Sequence, residues 1–382
     1  MRTNAFAAAA LLFVVAAGCG KADESPGKTG GTKGETGSIK IGVAGPKTGK
    51  EAKNGQDLIE GTTLAVEEWN AKGGVLGRKI EIVTRDDQGE PQLATSAAQQ
   101  LVGERVVGVI GHFNSGSTIP ASEIYHKAGI ITITPASTNE AVTDRGYQDV
   151  FRTCGRDDRQ APAASNFLVN VLKAKRIAIL DNRTAYGKGL ADNVEKALKG
   201  KVEVVFHEGF SEKERNFRPY LSKLKDANVD VWYFGGIYDQ AAPMVIQARQ
   251  LGITAPMMSG DGVHGYDEGF LQVCGKDADG TLTTFPFTNP DFPDKYRKRF
   301  SGKNPGPYAV FAYTAAQILL SGIEKAGSVD EAAIAKAMHG NAFDTPIGNV
   351  EFDAKGDIKE RPEGNYVVWV VKDGRHVLYD GK

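Results

Sequence analysis

Two segments of this 382-residue chain end short β-branched runs in small polar residues, and both then lead into helical patterns. Val109-Ile110 runs into Gly111-His112-Phe113-Asn114-Ser115-Gly116-Ser117, and Thr132-Ile133-Thr134 runs into Pro135-Ala136-Ser137-Thr138-Asn139. Backbone N–H groups at helix starts have no partner within the helix, so they favour an anion such as a carboxylate. Ser115, Ser137 and Thr138 add hydroxyls to these loops. Further along, Ala185-Tyr186-Gly187, Gly235-Gly236-Ile237-Tyr238 and Gly260-Asp261-Gly262 offer aromatic walls and one carboxylate. Asp261 can oppose an ammonium. A donor nest and an acid together suit an α-amino acid. The plainer alternative gives each residue a local job. Ser115 and Thr138 then cap helices, Asp261 turns the chain between two glycines, and Tyr186 walls a surface.

Other chemistries lack their residues. Gly45-Pro46-Lys47-Thr48 has proline where a phosphate loop needs glycine before the lysine. Gly187-Lys188-Gly189 lacks the third glycine of a dinucleotide fingerprint. No Gly-x-Ser-x-Gly elbow is present. The six histidines, at 112, 126, 207, 264, 339 and 376, include no pair at metal-ligand spacing. Neither a metal nor a cofactor is expected. His112 reads as a packing or hydrogen-bonding residue, and the charged run 294–299 as a solvated helix face.

Loops of this kind need a scaffold that gathers strand ends. Short β-branched runs at 39–43, 79–85, 106–110 and 130–134 alternate with helical patterns at 56–72, 92–104 and 117–128. The grammar restarts with strands at 176–180, 202–206 and 229–234 and helices at 190–199, 217–227 and 240–251. Alternation of this kind implies parallel sheets covered on both faces. Two series imply an α/β protein of two doubly wound lobes, with ligand beyond the carboxyl ends of the strands. Connecting segments fall at 149–153 and 281–287. Helices at 309–325 and 330–338 precede a hairpin, 366–371 with 377–378, around Asp373-Gly374.

Composition agrees. Lys+Arg number 46 against 47 Asp+Glu, a net charge of -1, which argues against sequence-blind nucleic-acid binding. The length exceeds the point, near roughly 250–300 residues, at which single cores stop growing. Residues 1–18 carry Arg2 and an apolar run from Ala5 to Ala17, a secretory signal. It ends at Ala16-Ala17-Gly18-Cys19, similar to a bacterial lipobox, with Ala16 where leucine is usual. The alternative is ordinary cleavage nearby, with Cys19 incidental. Residues 20–37 hold six glycines and nothing able to fill a core. As a tether they reach about 23 Å. Cys154 and Cys274 remain; in an oxidising compartment they are either one disulfide or two buried thiols.

From about Ile39 onward the chain resembles the periplasmic leucine/isoleucine/valine-binding proteins of ABC transporters, a type I binding fold with two lobes joined by a multi-strand hinge. The resemblance rests on Asn70-Ala71-Lys72-Gly73-Gly74-Val75, Asp86-Asp87, Val109-Ile110-Gly111-His112, Ser117-Thr118-Ile119-Pro120-Ala121-Ser122 and Thr134-Pro135-Ala136-Ser137-Thr138. It continues through Arg145-Gly146-Tyr147, Phe151-Arg152-Thr153, Arg176-Ile177-Ala178-Ile179, Tyr186-Gly187-Lys188-Gly189-Leu190-Ala191 and Gly235-Gly236. It implies a first lobe of 38–152 with 285–340 and a second of 153–284 with 341–382. It also implies a free amino acid as ligand, held by the Ser115 hydroxyl and the Ala136 and Thr138 loop, with Thr138 near the ammonium as well. Tyr186 would wall the site, Asp261 would meet the ammonium where the family carries glutamate, and Phe113 and Tyr308 would line the side-chain pocket. The implied partners are an ABC permease and, through Cys19, a membrane outside the cytoplasm. A sensor of the same fold is the alternative, and an extracytoplasmic amidase is a third reading that lacks a nucleophile-base pair. Several positions depart from the family. Its pocket tyrosine falls on Asn54, its cysteine beside the binding serine on Asn114, and the disulfide partner of that cysteine on Gly89. A further tyrosine falls on Ile237, with Tyr238 next along.

Overall fold

A computed structural model describes residues 37–381 apart from 266–268, 287, 289–290, 361–363 and 365. The secretory signal, Cys19 and nearly all of the tether lie outside the described residues. Strands β1 (Ile39–Gly45), β2 (Ile80–Asp86), β3 (Gly108–Gly111), β4 (Ile131–Thr134) and β5 (Val150–Arg152) form one sheet in the order β2-β1-β3-β4-β5. Every pairing in it is parallel. Helices α1 (Ala52–Ala71), α2 (Pro91–Gly103) and α3 (Ser115–Lys127) are the crossovers. Parallel strands need such crossovers and are buried on both faces, which is why β3 and β4 are buried throughout.

The second sheet has seven strands in the order β14-β13-β10-β9-β8-β6-β7. They are β6 (Arg176–Asp181), β7 (Glu203–Gly209), β8 (Val231–Gly235), β9 (Met257–Ser259), β10 (Leu282–Phe285), β13 (Val367–Lys372) and β14 (Arg375–Leu378). The first five run parallel, while β13 and β14 join as an antiparallel hairpin. Helices α4 (Asp157–Asn166), α5 (Ala185–Leu198), α6 (Arg218–Asp226), α7 (Tyr238–Gln250) and the short α8 (Phe270–Cys274) cover it. Helix α5 begins five residues earlier than the apolar pattern predicts, because the Thr184 hydroxyl caps it by accepting from Gly187 N at 2.9 Å. That cap brings Tyr186 into the first turn of the helix.

The chain crosses between lobes three times. After β10 it returns to the first lobe as α9 (Phe292–Arg299), α10 (Ala309–Ala326) and α11 (Glu331–His339), which share the first lobe's core. The charged run 294–299 forms most of α9, but Tyr296 within it is fully buried. The boundary expected at residue 340 is corrected. Strands β11 (Phe343–Thr345) and β12 (Gly348–Val350) form a hairpin that stays with the first lobe. Phe343, Ile347, Val350, Phe352 and Ile358 join its core, and the Phe352 ring meets Phe151 of β5 at 4.9 Å. The last crossing therefore lies between Ile358 and β13.

A buried charge network straps these crossings together. Arg152 is fully buried; its Nε faces Asp357 Oδ1 at 2.5 Å, and Arg156 Nη1 faces Asp357 Oδ2 at 2.8 Å. Arg152 Nη1 also donates to the carbonyls of Ser137, at 2.9 Å, and Asn139, at 3.1 Å. The hinge thus holds the loop that carries Thr138.

Candidate ligand-binding site

The first-lobe half of the site is set by close backbone packing after β3. Gly111 has φ +140°, and a Cβ there would stand 2.1 Å from the Ala44 carbonyl, so only glycine lets the loop begin there. His112 is buried and structural as expected: its Nδ1 pairs with Asp87 at 2.5 Å and its Nε2 with Tyr125 at 3.1 Å. Ser115 opens α3 and is buried; its Oγ accepts from Asn139 N at 3.3 Å, which joins the two polar loops. Ala136 is buried beside them and donates its N–H to Thr134 Oγ1 at 3.3 Å. Thr138 is fully buried, and its hydroxyl stands beside the Asp157 carboxyl without a hydrogen bond of good geometry. The Ser137 hydroxyl is taken up within the first lobe. It donates to the Phe113 carbonyl at 2.9 Å and meets Thr118 Oγ1 at 2.6 Å.

The second-lobe half centres on Asp261, just past β9. Its Oδ1 accepts from Tyr186 Oη at 2.9 Å, and Tyr308 Oη reaches its Oδ2 at 3.1 Å and its carbonyl at 2.9 Å. Gly262 N donates back to Tyr186 Oη at 3.0 Å. Burial raises the Asp261 pKa, while the Tyr186 hydroxyl, the Gln160 amide and the Tyr308 hydroxyl pull the other way by favouring the charge. Phe113 packs edge-on against Tyr308, centroids 4.7 Å apart, so Phe113 and Tyr308 form one aromatic wall. The structure therefore gathers Tyr186, Tyr308 and Phe113 around Asp261. Tyr238 does not join them. It opens α7 and donates to the Lys50 carbonyl at 2.9 Å, across the cleft.

Sequence reasoning missed the second acid. Asp157 opens α4 at the first crossing, and its backbone N–H donates to the Thr138 carbonyl at 3.0 Å. Its side chain is fully buried and neither oxygen makes a hydrogen bond of good geometry. Burial first, then the Asp261 carboxylate, pushes its pKa well above the usual carboxylate range, against the Thr138 hydroxyl. Tyr233 on β8 is buried with an unpartnered hydroxyl and feels both acids. Two carboxylates, a threonine hydroxyl and tyrosine hydroxyls thus converge in a buried setting. Such an arrangement favours a cation bearing several N–H donors. The sequence signal for Asp157 was its place just after the crossing, where the helix had not been recognised.

Of the two alternatives for the remaining cysteines, one disulfide or two buried thiols, the structure has the thiols. Cys154 and Cys274 are both buried free thiols. Cys154 sits at the first crossing and faces the Ser137 carbonyl at 3.4 Å, while Cys274 packs in the core behind the second sheet. The two environments are separate, and burial raises both thiol pKa values, Cys274 to about 12. At the positions that depart from the family, Asn114 Nδ2 donates to the buried Glu51 at 2.7 Å. Asn54 is buried and lines a cleft cavity of about 270 Å³, together with Asp57, Tyr238 and His264.

With this geometry in hand, the comparisons with known proteins are direct. The family model described as periplasmic binding protein matches residues 38–375. An amino acid binding protein of Pseudomonas aeruginosa is 41% identical over 349 residues, covering 89% of this chain and 92% of that protein. The leucine-binding protein of Thermotoga maritima superposes with a TM-score of 0.81 at 32% identity, covering 89% of this chain and 97% of that one. A branched-chain amino acid transporter substrate-binding protein of Streptococcus pneumoniae, solved with isoleucine, gives 0.80 at 27% identity, covering 89% and 97%.

Proposed function

This chain belongs to the periplasmic binding protein family, and from that premise we propose that it captures a free α-amino acid between its two lobes for an ABC importer. The observation that carries this reading is the buried acid pair. Asp261, set by two tyrosine hydroxyls, and Asp157, beside the Thr138 hydroxyl, form a cradle for an ammonium. The Ser115 hydroxyl and the Thr138 backbone N–H supply the donors for a carboxylate, since the Ala136 and Ser137 N–H groups are held by Thr134 Oγ1. Binding of this kind needs no covalent step, and the names of the relatives agree with an amino-acid ligand.

In this reading ligand closes the lobes about the three crossings, and the closed form docks on the permease. Cys19 carries a lipid that holds the protein at a membrane outside the cytoplasm, with residues 20–37 as tether. Calorimetric titration with the twenty amino acids tests the ligand class. At least one binds, and Asp261→Ala and Ser115→Ala each weaken it at least about tenfold, as expected when one partner of a buried charged pair is removed. No binding by any amino acid, or unchanged affinity in both variants, refutes the assignment. Mass spectrometry of the N-terminal peptide tests the lipid, which adds diacylglyceryl mass to Cys19.

A further inference from the structure

Beside the Ser115 loop, the cleft wall is richer in acceptors than in donors. Glu51, immediately before α1, is fully buried, and its Oε2 already accepts from Asn114 Nδ2. Its Oε1, Asn114 Oδ1 and Oδ1 of Asp239 are buried without a donor. A Cβ on Gly89 would stand 3.0 Å from Glu51 Oε1 and 3.3 Å from Asn114 Oδ1, so these two oxygens face one spot beside a residue that has no side chain. Asp239 comes from the second lobe, where Lys50 reaches it at 3.8 Å and also pairs with Glu212. Tyr238, the neighbour of Asp239, bonds the Lys50 carbonyl and lines the 270 Å³ cavity with Asn54. Burial pushes the Glu51 carboxyl up to about 8, so near neutral pH its unpaired oxygen carries a proton and is an O–H donor, while the Asn114 and Asp239 oxygens remain acceptors. Buried acceptors left without donors are costly.

We propose that this wall receives the end of the ligand's side chain and selects side chains that donate hydrogen bonds over aliphatic ones of the same shape, with Glu51 and Asn114 as the specificity determinants. The proposal rests on the amino-acid reading above and names the ligand class within it. An aliphatic side chain leaves these polar atoms unpaired; a hydroxyl, amide or amine donates to the Asn114 and Asp239 oxygens, and a hydroxyl or amide also accepts from Glu51. A site built to hydrogen-bond a ligand group rejects the isostere lacking it far more strongly than an apolar pocket rejects an added polar group.

The test is calorimetry on the full chain stripped of ligand, using isosteric pairs: threonine with valine, asparagine with leucine, and lysine with norleucine. The donor-bearing member of at least one pair binds at least about tenfold tighter. The last pair separates cationic from neutral donors. Glu51→Val collapses that preference to within about threefold while the aliphatic member keeps or gains affinity. Glu51→Gln keeps the volume and serves if the valine variant does not fold; it changes the ratio because a carboxyl becomes an amide. Aliphatic members that bind as tightly as their isosteres in all three pairs overturn the proposal and leave the amino-acid reading standing. A preference untouched by both substitutions overturns the role of Glu51. If no member of any pair binds, both readings fall together.

Discussion

Replacing Asp261 with asparagine tests the acid pair most directly. Asp261 is 4% exposed and accepts from two tyrosine hydroxyls, so its carboxylate is held where an ammonium would meet it. Removing one partner of a buried charge pair costs about 2–5 kcal/mol, or roughly 30-fold to 4000-fold in affinity. Asp157 sets where in that range the variant falls. Burial and the Asp261 charge push the Asp157 pKa up, which favours its neutral form. Once Asp261 is neutral, Asp157 ionises more readily and takes over part of the ammonium. Asp261→Asn therefore falls near the 30-fold end, and Asp157→Asn alone costs less than about tenfold near pH 7. The double variant loses more than the product of the two, by at least about 1 kcal/mol of coupling. The sign with pH follows. An arriving ammonium lowers the Asp157 pKa and releases a proton, so wild-type affinity rises with pH until the ligand amine itself begins to deprotonate. In Asp157→Asn that rise disappears. Calorimetry in buffers of different ionisation enthalpy counts the released protons. Additive single losses, together with an affinity flat in pH and no proton release, would refute the shared-acid argument.

Other consequences are independent of the ligand. Asp357→Ala leaves the buried Arg152 guanidinium without its carboxylate, while Arg156 keeps Asp144 and Asp158, and urea denaturation should show a loss of about 3–5 kcal/mol. The His207 pKa is raised mainly by Asp181, with Glu195 adding to it against desolvation. Its stabilisation is fully present below the ordinary histidine value, about 6.5, and is lost as pH rises through the folded value. His207→Gln should flatten denaturation midpoints measured from pH 5 to 9 across that window. Cys154 and Cys274 should resist iodoacetamide in the native protein and both react after unfolding, as peptide mass mapping would show; a native disulfide would block them in both states.

The alternation of buried runs and amphipathic helices was legible because parallel strands must be apolar on both faces and their crossovers on one. The strands at 39–43 and 176–180, the helices from 309 and 330, and the terminal hairpin all lie within a few residues of their places. Elements with weaker local patterns were not legible. Strands β9 and β10 are three and four residues long, and α4 carries Pro162 and a polar first turn. Asp157 was missed with α4. The β11–β12 hairpin was placed with the wrong lobe because an amphipathic hairpin does not encode which core receives it; the Phe151 and Phe352 rings decide that only in three dimensions. Of the site, Asp261, Tyr186 and Tyr308 could be named from the resemblance, but the tyrosine hydroxyls that orient Asp261 could not. Ser137 looked equivalent to Thr138 in sequence, yet the Phe113 carbonyl claims its hydroxyl.

In the proposed reading, the distribution of contacts between the lobes assigns the closing to the ligand. Away from the acid pair, contacts between the lobes include Asn139 Nδ2 on the Ala185 carbonyl at 2.8 Å, Asn193 Nδ2 on Glu140 at 2.6 Å, Tyr238 Oη on the Lys50 carbonyl at 2.9 Å, and the partly exposed Lys50–Glu212 pair. Such exposed polar contacts contribute about 0–1 kcal/mol each. They are too weak to hold the lobes shut against the conformational freedom gained on opening, but they are oriented only when the lobes meet. The large terms are split across the cleft. Ser115 and Thr138 sit on one side and Asp261 with Tyr186 on the other, while Asp157 stands at the crossing between them. A zwitterion that engages both halves binds the closed arrangement better than the open one, and a ligand can shift an equilibrium only by that difference. A carboxylate alone or an amine alone fills one half and should leave the lobes largely open. Small-angle scattering with a bound amino acid, its decarboxylated amine and its deaminated acid separates these cases, because only the zwitterion should compact the molecule.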